Sequence, residues 1–292
     1  MDNWDNLRFL LALYRHKTMS AAALSLHTNV ATVSRRIEKA AQTFGVPLFV
    51  KDHTGWTPTE AALPLIRVAE DFDARLTAEH NNRSAAQNAT LSANVLIAAP
   101  AFVNTVILFP HVAKVIAEHP RLQLDLRNRG DAVGLGEADV MIRFGRPESG
   151  RVVARRLCSL KFRPYRCASP SMRLPGWIAL EQIAATSQLL SFGERVFGEE
   201  PRLIVSLQDQ QRLLMRSTGL AAILPDEIIG PDSDLEPLPD VQEVLPVELW
   251  MIYHATRRED AVIRVIGEWI VSCFRQLSLR GASAPELVER VD

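Results

Sequence analysis

Several things are scarce in this sequence of 292 residues, and each scarcity excludes a class of protein. Three cysteines, none in a CxxC pair, cannot form a disulfide framework. No apolar run approaches the roughly 20 residues of a membrane span, and the acidic start MDNWDNLRF does not resemble a secretory signal. The formal net charge is −1, so any surface for nucleic acid must be regional. We therefore expect a soluble, cytoplasmic protein that does not contact membranes.

The motifs of the common enzyme classes are missing as well. The sequence contains no HExxH, no GxSxG and no P-loop. Gly134-Leu135-Gly136 lacks the third glycine of a dinucleotide fingerprint. His111 and His119 have no apparent third metal ligand, and Cys158 and Cys167 are interpreted as buried structural thiols rather than peroxide sensors. We expect no enzymatic activity, no cofactor and no metal.

The first 57 residues carry the pattern of a winged helix-turn-helix. Ser20 can cap a short second helix, and Asn29 can cap a third helix that runs from Val30 until Gly45 ends it. Two short strands with a turn at residues 51–55 follow, as in a wing. The segment has seven basic and four acidic residues, a local charge of about +3. Each piece alone also fits an ordinary solvated helix face, but their order favours DNA binding.

Three motifs in this segment resemble LysR-type transcriptional regulators. They are Ser20-Ala21-Ala22-Ala23, Val33-Ser34-Arg35-Arg36-Ile37 and Phe44-Gly45-Val46-Pro47-Leu48-Phe49. Val30 stands where the family usually has Gln, so it can offer a base only an apolar contact. The third helix is expected in the major groove, with phosphate contacts around it. We predict base-edge contacts for Asn29, Val30, Thr32 and Arg35, and phosphate contacts for Ser20, Ser34, Arg36, Lys51, His53 and Thr54.

A long amphipathic helix is predicted next. Residues 57–60 have the form of a capping box with proline at the first helical position. A narrow apolar stripe follows, which suits a partner helix, although packing on its own domain is the alternative. The resemblance implies a dimerisation helix, and residues 81–90 are interpreted as a hinge. The stripe consists of Ala61, Leu65, Val68, Phe72 and Leu76.

The second half alternates strands and helices, which predicts a parallel, doubly wound α/β fold in two units joined by crossing strands. It resembles the LysR-type effector domain, whose fold is like that of periplasmic binding proteins, through Gly136-Glu137-Ala138-Asp139, Ala168-Ser169-Pro170 and residues 219–225. We predict a DNA-binding domain at 1–57, a linker helix and hinge at 58–90, and a regulatory domain at 91–292. Subdomain I is placed at about 91–163 and 267–292, and subdomain II at about 164–266.

The effector is expected in the cleft between the two units, at the ends of strands. The family often has Ser or Thr after the first strand, whereas residues 99–102 offer no hydroxyl. The cleft is therefore expected to suit a carboxylate less well, or to have lost its ligand. The predicted effector contacts are Pro100, Ala101, Phe102, Asn104, Thr105, Asn128, Arg143, Phe144, Ser191 and Phe192.

Two charge runs allow three interpretations. Residues 143–173 contain nine basic residues and one acid, and residues 226–248 contain eight acids and no base. The two faces could meet between halves or subunits, the arginines could hold an anionic effector, or both runs could be solvated.

The sequence thus predicts a sequence-specific DNA-binding transcriptional regulator controlled by a small-molecule effector. Its expected partners are double-stranded DNA, the effector, a second copy of the chain and RNA polymerase. The resemblance implies that dimers assemble into a tetramer. Two alternatives stay open: an architectural or constitutive DNA-binding protein with a ligand-free effector domain, and a small-molecule-binding α/β protein whose N-terminal helices only dimerise it.

Overall fold

The computed structural model describes residues 5–53, 55–88, 91–128, 138–148, 150–181, 187–230, 233–278 and 286–291. The chain divides into two compact units, Met1–His80 and Asn81–Asp292. Among the helices of the described ranges, none combines the length and the hydropathy that crossing a membrane requires.

The first unit is a small helical domain with a two-stranded wing. Its core is built from side chains of all its helices, among them Leu10, Val33 and Ile66, together with Leu48 before the wing. Its elements are α1 (Asp5–His16), α2 (Met19–Ser25), α3 (Val30–Phe44), β1 (Phe49–Asp52), β2 (Gly55–Pro58) and the first part of α4 (Leu63–Asn88).

Local capping signals fix the ends of these helices. The Asn29 side chain accepts a hydrogen bond from the Thr32 backbone N–H at 2.8 Å, and Gly45 ends α3 with φ +70°, both as predicted. The cap of α2 is Thr18, whose Oγ1 accepts from Ala21 N–H at 3.2 Å. The prediction of Ser20 as this cap was wrong, because the helix begins at Met19.

Helix α4 begins later than the sequence pattern predicts. The first two residues of the expected capping box lie in β2, where Thr57 pairs with Val50 and Pro58 pairs with Phe49. The Thr59 hydroxyl then donates to Pro47 O at 2.8 Å, which ties the turn before the helix to the wing. Strand pairing therefore overrides the local helix signal.

The wing is fastened to the turn between α1 and α2. Trp56 N–H donates to Lys17 O at 2.7 Å, and Gly55 adopts φ +127°. A Cβ on Gly55 would lie 2.5 Å from that same oxygen. Only glycine therefore fits where the wing meets the helices.

We expect Gly55→Ala to destabilise the first unit by about 3 kcal/mol, from backbone strain and overlap with Lys17 O. Gly45→Ala is the matched control, because Gly45 also has positive φ but no atom lies within 4 Å of its added Cβ. It should cost only about 1 kcal/mol. Urea denaturation measures both, and equal costs would contradict the steric role of Lys17 O.

The second unit is built on one ten-stranded mixed sheet. Its order is β4-β3-β5-β11-β6-β9-β7-β8, and β10 and β12 also pair with β6. Its elements are β3 (Ser92–Ala99), a π-helix (Val103–Leu108), a 3₁₀ turn (Phe109–His111), α5 (Val112–Glu118), β4 (Arg121–Asn128), β5 (Val140–Phe144), β6 (Val152–Cys167), β7 (Trp177–Leu180), α6 (Ser187–Phe197), β8 (Leu203–Val205), α7 (Gln208–Thr218), β9 (Ala221–Pro225), a 3₁₀ turn (Asp226–Ile228), β10 (Leu235–Pro237), β11 (Leu245–His254), a 3₁₀ turn (Ala255–Arg257), α8 (Ala261–Ser278) and β12 (Glu286–Val291).

Two groups of parallel strands define two subdomains. Strand β3 is parallel to β4 and β5, and β7 is parallel to β8 and β9. Strand β6 crosses between the groups, pairing with β11 along its first part and with β9 near its end. This arrangement confirms the predicted α/β class with a long crossing strand.

The end of the chain returns to subdomain I earlier than predicted. Strand β11 pairs with β5, and α8 shares the core of the first group with β3 and the π-helix. The boundary placed between Ile266 and Gly267 therefore falls inside α8, and β11, assigned by the sequence to subdomain II, pairs within subdomain I.

A buried polar cluster joins the end of α4 to the start of α8. Asp260 accepts from Arg257 Nε and Nη2 at 2.9 and 2.7 Å, and from Asn81 Nδ2 at 3.0 and 3.2 Å. It also caps α8 through the Val262 N–H at 2.8 Å. Arg257 pairs in addition with Asp139. We call Asn81, Asp139, Arg257 and Asp260 the junction cluster.

The junction cluster changes the interpretation of residues 81–90 as a hinge. Residues 81–88 are helical, Asn81 is buried, and Asn82 Oδ1 accepts from the Ala261 N–H at 2.9 Å. Residues 89 and 90 lie outside the described residues. The last turns of α4 are therefore fixed to the regulatory unit by hydrogen bonds.

Candidate nucleic-acid interface and effector cleft

Helix α3 presents a polar face at its N-terminal half. Arg35 is exposed, Val30 is 45% exposed, and Thr32 is half-buried. Asn29 is exposed, but its Oδ1 is used for the helix cap, which leaves its amide N–H groups for a base or phosphate. Ser20 on α2 is also exposed.

Two predicted phosphate-binding residues on α3 already have protein partners. Arg36 lies over the Phe9 ring at 5.7 Å, and its Nη1 donates to Asn6 Oδ1 at 3.4 Å. Ser34 Oγ donates to Glu38 Oε1 at 2.8 Å. These contacts hold both side chains close to the helix surface, whereas the neighbouring Arg35 is exposed.

The wing adds a second basic surface. Lys51 in β1 and His53 in the turn that follows it are both exposed. The turn is held by Asp52, whose carboxylate accepts from Gly55 N–H at 3.1 Å and from Thr57 Oγ1 at 2.7 Å. Thr54, also predicted to contact phosphate, lies outside the described residues.

Strand directions place the two subdomain edges opposite each other. Strand β5 ends at Phe144, which is aligned through Leu249 with Cys158 of β6. Strand β9 runs the other way and ends at Pro225, which is aligned with Phe162. The carboxyl ends of both parallel groups therefore face each other across four residues of β6, roughly 13 Å at 3.3 Å per residue. This is the edge geometry of a ligand-binding cleft.

The subdomain I edge is aromatic and apolar. The Phe102 and Phe144 rings stack with centroids 6.0 Å apart, and Phe162 meets Phe144 edge-on at 6.2 Å. Asn104 is fully buried, and its Nδ2 donates to Asn128 Oδ1 at 2.8 Å and to Arg127 O at 3.2 Å. The structure thus brings four of the predicted effector residues together in two contacting pairs, Phe102 with Phe144 and Asn104 with Asn128.

The remaining predicted residues of subdomain I have local roles. Pro100 O accepts from the Val103 and Asn104 N–H groups, and Thr105 Oγ1 donates to Ala101 O at 3.1 Å. Arg143 Nε donates to Phe144 O at 3.3 Å. A π-helix rather than an α-helix follows Phe102, a form that is frequent at functional sites.

The subdomain II edge contains a small pocket that the sequence did not predict. It lies between β7, β9 and the first turns of α6 and α7, and has about 240 Å³ of space including its open mouth. Leu180, Leu189, Leu190, Ile223 and Trp177 form its apolar walls, and Gln211 is the polar residue on it. We call it the Gln211 pocket.

Ser191 and Phe192 are not part of this pocket. Ser191 is exposed, and Phe192 is a core residue, 1% exposed, with Arg195 over its ring at 5.3 Å. The run QDQQ at residues 208–211 looks like a solvated helix start, so no sequence signal indicated that Gln208 and Gln211 are buried.

The charge runs meet within the regulatory unit. Arg163 pairs with Asp226 at 2.5 Å, Arg166 with Glu236 at 2.7 Å, and Arg156 with Glu248 at 2.8 Å. All three pairs join β6 to the segments around it. The two runs therefore meet at these pairs inside each subdomain, and not between halves or subunits as the first interpretation had it.

A buried carboxylate lies beside the floor of the cleft. Glu227 is 6% exposed and accepts from the Lys161 backbone N–H at 3.0 and 3.1 Å. Burial raises its pKa above the ordinary value of 4.5. Burial also raises the pKa of the neighbouring Cys158 thiol to about 12, so this cysteine is a weak nucleophile at neutral pH.

We expect Glu227→Gln to flatten the pH dependence of stability. Because the folded carboxyl holds its proton to higher pH than the unfolded one, the free energy of unfolding falls as pH rises above 4.5. The glutamine side chain does not titrate, so the substitution removes this fall in the free energy of unfolding and should stabilise the protein at neutral pH. Urea denaturation over a pH series measures it, with Glu236→Gln as the control; parallel curves for wild type and Glu227→Gln would contradict the assignment.

Comparison with known proteins agrees with this geometry. Residues 4–63 match the family described as bacterial regulatory helix-turn-helix protein, lysR family, and residues 88–274 match the LysR substrate binding domain. The chain belongs to the LysR family. LysR-type regulators bind DNA and a small-molecule effector and oligomerise, and the homologues found here are transcriptional regulators rather than enzymes.

Individual relatives cover between half and nearly all of the chain. The Mau operon transcriptional activator of Paracoccus denitrificans is 25% identical over 94% of this chain and 97% of its own length. The transcriptional activator IlvY of Salmonella typhimurium is 33% identical over 51% of each chain. A full-length OxyR variant from Pseudomonas aeruginosa shares the fold, with a TM-score of 0.68 at 17% identity, over 98% of this chain and 99% of its own.

Proposed function

We propose that this LysR-type regulator reads its operator with the N-terminal half of α3 and senses its effector between the carboxyl edges of the two subdomains. Exposed Arg35 supports the first part, because an arginine near the start of a helix can contact a guanine edge with two hydrogen bonds. Asn29, Val30 and Thr32 would complete the base contacts. Ser20, Ser34, Arg36, Lys51, His53 and Thr54 would contact phosphates.

The domain division follows from this assignment. We propose a DNA-binding domain at 1–57, a linker at 58–90 and a regulatory domain from 91 onward. Because β11 and α8 belong with the first parallel group, subdomain II is proposed to end before Leu245.

The apolar stripe of α4 supports dimerisation. Val68, Phe72 and Leu76 recur every fourth residue and are each more than half exposed. Such a stripe at helical spacing suits a second copy of the same helix. Assembly of dimers into a tetramer, contact with RNA polymerase and a cytoplasmic location are further expectations from the family resemblance.

We expect Phe72→Glu to weaken the dimer by at least a hundredfold. The substitution removes two aromatic side chains from the interface of each dimer, each contributing about 1.5 kcal/mol or more. It also places two like charges in that interface. Analytical ultracentrifugation measures the dissociation constant, and Arg67→Glu, exposed away from the stripe, is the control. A wild-type dissociation constant in Phe72→Glu would place the dimer contact elsewhere.

The experiment that tests effector control is a screen of small molecules for their effect on the affinity of the full chain for its selected operator. A compound that binds and changes operator affinity supports the proposal. Compounds that bind the regulatory unit without changing operator affinity would favour the constitutive DNA-binding alternative, which the missing hydroxyl at residues 99–101 keeps open.

A further inference from the structure

Among the residues that the structure describes, one buried amide side chain at each cleft edge leaves its oxygen without a hydrogen-bond donor. Gln211 is 2% exposed, and its Nε2 donates to Ile178 O at 2.9 Å, whereas its Oε1 is buried and has no partner in the described ranges. Because a carbonyl can only accept, this bond fixes which end of the amide is nitrogen. The unpartnered atom of this pocket-lining residue is therefore an oxygen.

The same orientation recurs in subdomain I. Asn104 Nδ2 is engaged by two acceptors, Asn128 Oδ1 and Arg127 O, so its buried, unpartnered atom is again the oxygen. Gln208, 3% exposed and one turn before Gln211, has both its amide nitrogen and its amide oxygen without a partner among the described residues, and it does not line the pocket. An unpartnered buried polar atom costs stability, so such groups in a cleft indicate a ligand that supplies the missing partner.

The lining of the Gln211 pocket selects against an anionic group at this subsite. A carboxylate offers only acceptors and would face the Gln211 amide, whose nitrogen is already bonded to Ile178 O. Arg163, which pairs with Asp226, is not among the residues that line this pocket. The apolar walls of the Gln211 pocket also disfavour a charged ammonium group, because one acceptor cannot replace its hydration.

We propose that the Gln211 pocket is the subsite for an uncharged N–H donor group of the effector, such as a primary carboxamide on a small aliphatic or aromatic body, with Gln211 Oε1 as its acceptor. The inference extends the proposed effector control by naming the ligand class. The small size of the pocket means that it receives one end of the ligand.

The test compares three compounds with one carbon skeleton on the full chain by saturation-transfer NMR. They are 3-methylbutanamide, 3-methylbutanoate and 3-methylbutylamine. We expect the amide to bind wild type about fivefold more tightly than the acid, as for one neutral hydrogen bond. Equal or tighter binding of the acid to the wild type would overturn the proposal without any variant.

Variants then assign the contact. Gln211→Leu should reduce amide binding to the level of the acid, and Gln211→Glu should shift the preference to the amine. Gln188→Leu, an exposed glutamine on α6, is the control and should change nothing. Unchanged amide binding in Gln211→Leu would overturn the subsite.

Operator binding of each variant reports folding and separates this inference from the proposed function. If the amide binds through Gln211 but no compound alters operator affinity, the subsite stands and effector control fails. If compounds alter operator affinity independently of Gln211, effector control stands and the subsite fails.

Discussion

Arg35→Ala should lower operator affinity by tenfold or more and remove preference at one base pair. Arg35 is exposed on the N-terminal half of α3, and within the described residues no carboxylate pairs with it. A bidentate arginine contact to guanine contributes about 1–3 kcal/mol of discrimination. Fluorescence anisotropy against the selected operator and single-base variants of it measures both effects.

Lys39→Ala is the matched control for this prediction. Lys39 is exposed one turn further along the same helix face, towards the C-terminal end of α3. Its loss should weaken binding to all sequences alike and reduce the salt dependence by about one phosphate contact. A uniform loss for Arg35→Ala as well would assign Arg35 to the phosphate backbone.

Asp260→Ala should destabilise the regulatory unit by about 3–5 kcal/mol, a cost typical of removing one partner of a buried ion pair. Asp260 is fully buried, neutralises Arg257, caps α8 and binds Asn81. Its removal leaves Arg257 with Asp139 as its remaining carboxylate partner in the cluster. Thermal and urea denaturation of the full chain measure the loss.

Asn81→Ala separates the linker contact from the ion pair. It removes two hydrogen bonds to Asp260 and leaves the Arg257 pair and the α8 cap in place. We expect a cost of about 1–3 kcal/mol and faster hydrogen exchange in residues 81–88. If Asp260→Ala costs no more than Asn81→Ala, the ion pair and the cap contribute nothing and the account of the junction cluster is wrong.

Local signals explain why the helix-turn-helix could be predicted. The Asn29 cap and the Gly45 stop act within one helical turn of their own positions, so the sequence pattern contains them. The start of α4 was misplaced because Thr57 and Pro58 pair with Val50 and Phe49 in the wing. A strand partner that lies across a turn outweighs a local capping pattern.

Non-local contacts could not be predicted. Asn81 and Asp260 are separated by 179 positions, and neither lies in a pattern that indicates the other. Phe192 has the position of a cleft residue in the sequence but packs into the core, whereas Gln211 has the surroundings of a surface residue but lines a pocket. Side-chain direction on a helix that joins two strands is set by the tertiary packing.

The most direct test of the central claim is selection of bound duplexes from a random library by the full chain, followed by a salt titration on the selected site. We expect a dyad-symmetric site with half-sites about one or more helical turns apart, and affinity that falls steeply with salt. Failure to enrich any sequence, or binding that does not respond to salt, would contradict the reading of DNA by α3.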